Sequence, residues 1–229
     1  MLSRLRTLVP RSLRQGLRKR HRQRVLRRSL RRLRQQAADG AIGRELVEAL
    51  RYGYGNRGWS AEYEYLEEII RRVRTTDGPI LECGCGLTTL LVLAVLGEDA
   101  GRLLALEHNA GWAERVAQRC AEHGLPADRV LHAPLRDYGG YAWYGVDGAR
   151  LPRDIQLVIC DGPPSDTKGG RTGLLPQLHE RFAQDCIILV DDMGRAADRD
   201  MVASWVGEYG GAVEVLGAEK PYGVYVRGR

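Results

Sequence analysis

Past Gly40 the apolar residues of this chain switch repeatedly between helical and strand-like spacing. Residues 41–51 and 60–74 read as helices; the second opens at Ser60, a good N-cap, and sets Leu66, Ile69, Ile70 and Val73 on one face. Pro79, Ile80 and Leu81 begin a short strand, and residues 88–96 follow as a helix. Residues 102–107 form a second strand, 111–123 a second helix of the alternation, and 129–133 a third strand. A long aromatic loop then runs through Tyr138, Tyr141, Trp143 and Tyr144. Residues 155–160 are a strand, 174–183 a helix, 186–190 a strand and 197–208 a helix. Two strands close the chain, 212–216 and 223–227, joined by a short turn containing Pro221.

Strands alternating with helices imply βαβ units. The closing pair lacks the dozen or so residues a parallel crossover needs, so it must be an antiparallel hairpin. The predicted fold is α/β: a doubly wound, mostly parallel, seven-stranded Rossmann-like sheet ending in that hairpin. A basic helical arm precedes it, which divides the chain into an arm at 1–38 and a domain at 39–229.

Charge sharpens the division. Residues 1–36 hold 13 Arg, one Lys and no acid, so the rest holds 21 Lys and Arg against 29 Asp and Glu. The net +6 therefore hides an acidic domain behind a basic arm. In the arm, Leu2, Leu5, Val9, Leu13 and Leu17 recur every three or four residues, and Leu26, Leu30 and Leu33 resume the spacing. Pro10 and Gly16 interrupt it, which predicts two short helices. Such a segment suits a solvated tail, or attachment to an anionic membrane surface by apolar burial plus Arg attraction. An Arg-rich, acid-free start is also like an organellar transit peptide. The lack of aromatic residues in 1–36 argues against nucleic acid. Five cysteines with no secretory signal ahead of them point to a reduced, cytoplasmic setting, peripheral at a membrane if the arm attaches there. No apolar run reaches the ~18–20 residues of a spanning helix.

The candidate chemistry lies at the strand ends. Leu81-Glu82-Cys83-Gly84-Cys85-Gly86-Leu87-Thr88-Thr89 joins the first strand to its helix. Its two glycines allow close backbone approach to a ligand at a helix N-terminus. Thr89 replaces the third glycine of the dinucleotide fingerprint, and a carboxylate at Glu82 would repel a pyrophosphate but suit a cation. Glu107, at the tip of the second strand, is placed to accept from ribose hydroxyls. A ribose joined to a cationic amino-acid tail, without phosphate, describes S-adenosylmethionine (SAM).

On "LECGCGLTT", "LLALEHNAGWAERV", "VICDGPP", "IILVDD" and the terminal hairpin, the chain resembles the class I SAM-dependent methyltransferases over about residues 55–229. The resemblance implies that Glu82, Gly84 and Gly86 line the amino-acid half of SAM. It implies that Glu107 holds the ribose with His108 beside it, that the exit at His132 and Ala133 passes the adenine, and that Trp59 and Ser60 close over the cofactor.

Asp161 ends the fourth parallel strand, and Asp191 and Asp192 end the fifth. With no paired cation nearby in sequence, three converging carboxylates would repel unless protonated or bridged by a metal. The run "VDDMGRAADRDMVASW" is similar to the macrocin type of metal-dependent O-methyltransferase, which methylates a sugar hydroxyl; the catechol type is related. That resemblance implies Asp161, Asp191 and Asp192 as ligands of Mg²⁺. Where the catechol type carries a lysine this chain has Pro164, so Lys168, on a Gly-Gly-Arg loop, is the nearest general base. Trp143, Tyr144 and Arg171 are candidate contacts to the acceptor, by stacking or by pairing with an anion. The expected activity is O-methylation of a sugar or small molecule, assisted by Mg²⁺. Two alternatives stand beside it: amine N-methylation, from "DGPP" as a variant of an Asp-Pro-Pro-aromatic motif, and a non-catalytic SAM-fold module tethered by its arm.

Overall fold

A computed structural model describes residues 11–36, 42–56 and 61–228. The chain divides after Ser60 into two compact units.

In the first unit, helix α1 (Arg11–Gln35) packs on α2 (Arg44–Tyr54). Gly53 of α2 is needed at the crossing, because a Cβ there would lie 2.7 Å from the backbone nitrogen of Leu26. Leu26, Leu30 and Leu33 are buried, as their spacing predicts. The expected break at Gly16 is absent: α1 runs straight through it. An interior glycine costs only about 1 kcal/mol, and its Leu and Arg neighbours are good helix formers. Pro10 lies outside the described residues. Residues 12–21 are exposed on every face, with Leu13 at 56% and Leu17 at 55%.

The second unit opens with α3 (Tyr63–Thr75), which starts later than Ser60 predicts, with Glu62 at the cap position. It buries Leu66, Ile69, Ile70 and Val73. The expected alternation follows: β1 (Ile80–Cys83), α4 (Leu87–Leu96), β2 (Leu103–Glu107), α5 (Ala110–Glu122) and β3 (Val130–His132). The aromatic loop is not irregular; it contains a small hairpin of β4 (Leu135–Asp137) and β5 (Ala142–Tyr144). Then come β6 (Ile155–Cys160), α6 (Leu174–Leu178), β7 (Phe182–Val190), α7 (Ala196–Tyr209), β8 (Ala212–Leu216) and β9 (Tyr222–Val226).

The helix expected over 174–183 is cut to five residues and a 3-10 turn at His179–Arg181. Strand β7 starts earlier instead, because Phe182 pairs with Ile155 ahead of a register shift. The polar residues Gln184 and Asp185, which argue against a strand in the sequence, are exposed and lie in that register shift, where no apolar side chain is needed.

The seven strands lie in the order β3-β2-β1-β6-β7-β9-β8, with only β9 antiparallel to its neighbours on both sides. Chain direction thus gives the expected doubly wound sheet with a closing hairpin. Register aligns the exits: Cys83 pairs with Leu106 and with Cys160, and Cys160 with Val190. Gly84, Glu107, Asp161 and Asp191 therefore form one row at the carboxyl edge. All five cysteines are buried and free.

Candidate active site

At the β1 exit, Gly84 has φ +86°, a left-handed conformation that favours glycine. A Cβ on it would lie 3.1 Å from the backbone nitrogen of Gly162. The β1 and β6 exits thus touch, glycine to glycine, and a Cβ on Gly162 would strike the Tyr144 hydroxyl. That hydroxyl is buried and has no hydrogen-bond partner among the described residues. Burial pushes its pKa well up, so it stays a donor. An orphaned donor beside a glycine turn fits a ligand that reaches into the turn.

Glu82 is placed differently from the expectation that it lines the cofactor. It has no exposed surface and accepts from the hydroxyls of Thr88 and, at 2.6 Å, of Thr89. Thr89 also accepts from the Gly86 amide at 2.9 Å. Glu82 therefore ties β1 to the first turn of α4 from beneath. Desolvation dominates its ionisation and pushes its pKa to about 8, against the two threonine hydrogen bonds.

Glu107 lies where the ribose acid was expected. Its Oε1 accepts from the Asn109 amide at 2.8 Å and lies 2.9 Å from His108 Nδ1. Its Oε2 accepts from the Cys85 amide at 3.3 Å, which fixes the carboxylate against the glycine loop. Trp112 closes the other side by donating Nε1–H to the Cys85 carbonyl at 2.8 Å, a contact that no motif in the sequence signals. The Ala133 amide donates to the Glu107 carbonyl at 2.7 Å, which brings the β3 exit alongside. Gly84, Gly86, Glu107, His108 and Ala133 are thus assembled at one edge and fit a nucleoside with an amino-acid tail. Trp59 and Ser60 lie outside the described residues.

The three strand-end acids do converge, with one carboxylate oxygen from each of Asp161, Asp191 and Asp192 within 4.8 Å of the others. They are not alone. Arg171, 3% exposed, donates from one nitrogen to Asp161 Oδ1 at 3.1 Å and to Asp192 Oδ2 at 2.9 Å. Its other terminal nitrogen donates to the Asp191 carbonyl at 2.7 Å and lies 3.6 Å from Asp198 Oδ1. Lys220, from the β8–β9 turn, reaches Asp191 Oδ2 at 2.8 Å and Asp192 Oδ1 at 2.7 Å. Arg195 adds a contact to Asp192 Oδ2 at 2.8 Å. Asp191 Oδ1 accepts from the Asp192 amide at 2.8 Å, with Asp192 held at φ +67°.

Five of the six carboxylate oxygens in the trio are therefore taken by donors among the described residues. A divalent ion would have to displace Lys220 and Arg171 or sit beside them. Two unit charges ~4 Å apart at an effective dielectric near 20 repel by about 4 kcal/mol, and a divalent ion doubles that. The donor set in this arrangement does not fit Mg²⁺. The expected metal site rested on acids without a paired cation, and two such cations arrive from distant positions.

Ionisation follows these partners. Burial would raise Asp192, but Lys220 and Arg171 outweigh it and hold its pKa low. Asp161 is pushed up to about 7, first by burial and next by Asp191, with Arg171 pulling the other way. Its side chain keeps 29% exposure at the edge of the site.

Three expected roles change. Trp143 is 1% exposed and packs in the core against Gly173, so it anchors β5 and is out of reach of an acceptor. Arg171 is buried and spent on internal acids, which leaves it no face for a substrate anion. Lys168 is held in an exposed pair with Asp137, at 2.9 Å, and its carbonyl accepts from the Ala142 amide. The next residue, Gly169, lies against Tyr141, where a Cβ would come within 2.6 Å of the tyrosine Cβ. Lys220 and Asp198 join the site without having been expected there. The Asp192, Arg195, Asp198 spacing at the start of α7 was the available signal for Asp198; a lysine in the hairpin turn offered none.

Residues 81–193 match the family described as a methyltransferase domain. Among solved structures, the chain is similar to an S-adenosylhomocysteine (SAH)-bound methyltransferase from Podospora anserina, at TM-score 0.58 and 14% identity over 86% of this chain and 92% of that one. It is similar to a SAM-dependent O-methyltransferase from Thermotoga maritima, at TM-score 0.55 and 14% identity over 77% and 69%. A methyltransferase from Geobacter sulfurreducens gives TM-score 0.55 at 12% identity over 79% and 87%. Among curated proteins, a UDP-N-acetylmuramoylalanine–D-glutamate ligase from Ralstonia nicotianae is 29% identical over 123 residues, 54% of this chain. That match spans only 23% of the ligase's length.

Proposed function

We propose that this chain carries a class I SAM-dependent methyltransferase domain, supported by the family match and the strand order, and transfers a methyl group to a hydroxyl oxygen of a sugar or other small molecule. The observation that carries the reading is Asp161: a part-exposed carboxyl raised to about 7, one residue from the glycine contact between β1 and β6. SAM, when bound, supplies a methyl group on a positively charged sulfur. The chain must then align the acceptor oxygen and take its proton.

Asp161 suits the second task. Arg171 fixes its Oδ1, while Oδ2 has no partner among the described residues, and the side chain as a whole is partly exposed. A base near neutrality is the useful one at neutral pH. The glycine turn, with Tyr144 beneath it and Glu107 and His108 beyond, supports cofactor binding along the same edge. The acceptor would enter beside Asp161. The basic arm, on this reading, holds the enzyme to an anionic membrane surface on the cytoplasmic side.

Calorimetry with SAM and SAH is the first test; no binding at micromolar levels by the purified chain would sink the reading. With labelled SAM and panels of glycan, catechol and amine acceptors, transfer to amines alone would replace it by N-methylation. In an active preparation, Asp161→Asn is expected to lower kcat/KM by about 100-fold or more while leaving SAH affinity within a few-fold. The wild-type rate should rise with pH through about 7, as Asp161 loses its proton. The remaining activity of the variant should lack that rise.

A further inference from the structure

The turn between β8 and β9 is built to deliver one ammonium group. Gly217 turns at φ +92°, and the Ala218 and Glu219 amides donate to Glu64 Oε2 of α3, at 2.7 and 3.4 Å. Those bonds anchor the turn just ahead of Lys220. Beyond it, Tyr222 is already paired in β9, with its ring packed 5.3 Å from Tyr65. From this fixed start the Lys220 side chain reaches the β7 exit and bridges Asp191 and Asp192 at 2.8 and 2.7 Å.

Two carboxylates from adjacent residues, closing on one cation, with a third acid on the neighbouring strand, is an arrangement that oxygen-liganded divalent ions use. Here four acids (Asp161, Asp191, Asp192 and Asp198) face three cations (Arg171, Arg195 and Lys220). Arg171 is buried and braced by two backbone carbonyls besides the carboxylates, so it belongs to the scaffold. Lys220 is the replaceable member: its side chain is 34% exposed, so the place it fills borders solvent.

We propose that Lys220 is the resident cation of this site, standing where a divalent ion would otherwise bridge Asp191 and Asp192, and that it thereby makes the site metal-independent. The consequence for catalysis rests on the methyltransferase reading; the ion exclusion does not. Removing the ammonium frees Asp191 Oδ2 and Asp192 Oδ1 to join Asp161 Oδ2, three oxygen donors beside Arg171. The local balance then falls from one net negative charge to two.

The test is Mn²⁺ binding to the full chain, read by the electron paramagnetic resonance of free Mn²⁺ and needing neither SAM nor an acceptor. Wild type is expected to bind none below millimolar concentrations. Lys220→Ala is expected to gain at least tenfold in Mn²⁺ affinity. Lys220→Arg should exclude the ion again, and Lys220→Ala with Asp191→Asn should lose what Lys220→Ala gained. Thermal melting checks that each variant folds. Micromolar Mn²⁺ binding by wild type that Asp191→Asn abolishes would overturn the proposal. So would a folded Lys220→Ala variant that binds Mn²⁺ no better than wild type. A wild type that excludes Mn²⁺ but fails to bind SAH leaves this proposal standing and removes the methyltransferase reading alone.

Discussion

A guanidinium as buried as that of Arg171 is tolerated only with partners on most of its donors, and Asp161, Asp192, Asp198 and two carbonyls supply them. Glu82 shows the opposite solution to burial, holding its proton. Its pKa is about 8 in the folded chain against 4.5 for the free side chain, so the folded state binds the proton more tightly. The stabilising contribution is complete below about pH 4.5 and is lost as pH rises toward 8; the full shift sets an upper limit of about 5 kcal/mol. Urea unfolding of wild type should therefore move to lower midpoints between pH 5.5 and 8, and Asp161, raised to about 7, adds to the same slope. Glu82→Gln, which carries no proton to lose, should flatten most of that fall. An equal slope in the variant would mean that Glu82 is ionised in the fold. Glu82 and Asp161 could be picked out in the sequence because each is an acid at the end of an apolar run, one or two residues ahead of a glycine. Their ionisation could not, because it is set first by burial in the folded chain, and for Asp161 next by Asp191, 30 residues ahead. Lys220, 29 residues from Asp191, was beyond any local pattern.

At the scale of elements, the site depends on two strand exits touching. Gly84 meets both demands for glycine at once: φ +86° and a crowded Cβ position. Gly97 meets only one, with φ +58° and open space around it. Gly84→Ala should cost about 1–3 kcal/mol, lowering the melting temperature, and should weaken SAH binding at least tenfold by pushing the β1 exit away from Gly162. Gly97→Ala should cost a comparable ~1–3 kcal/mol, because φ +58° with ψ −113° is a backbone that only glycine adopts readily, but it should leave SAH affinity unchanged. Equal effects on SAH at both positions would deny the glycine contact its role. Strands β1, β2 and β6 were readable to within a residue or two, because apolar runs between turn residues mark buried parallel strands. The early start of β7 was hidden because Gln184 and Asp185 are exposed, in the register shift between the Phe182 and Ile187 pairings. The hairpin inside the aromatic loop was hidden because three-residue strands leave almost no period to read.

The whole molecule is electrically divided, and this gives the arm a test of its own. Residues 12–21 are exposed around the whole helix, while burial in α1 begins near Leu26. Among the described residues, deleting 1–20 therefore removes no buried side chain from the α1–α2 pair. It does remove six Arg and one Lys, taking the net charge from +6 to −1. If the arm's task is attachment, the full chain should sediment with phosphatidylcholine vesicles only when they contain phosphatidylserine. Salt near ~0.5 M, where the screening length falls to a few ångströms, should release it. The shortened chain should stay in solution in every case, with SAH affinity and melting temperature unchanged. Undiminished sedimentation after deletion would place the contact outside the arm. Lost SAH affinity would mean that the arm serves the site itself, and that the exposed Leu13 and Leu17 face something other than a lipid surface.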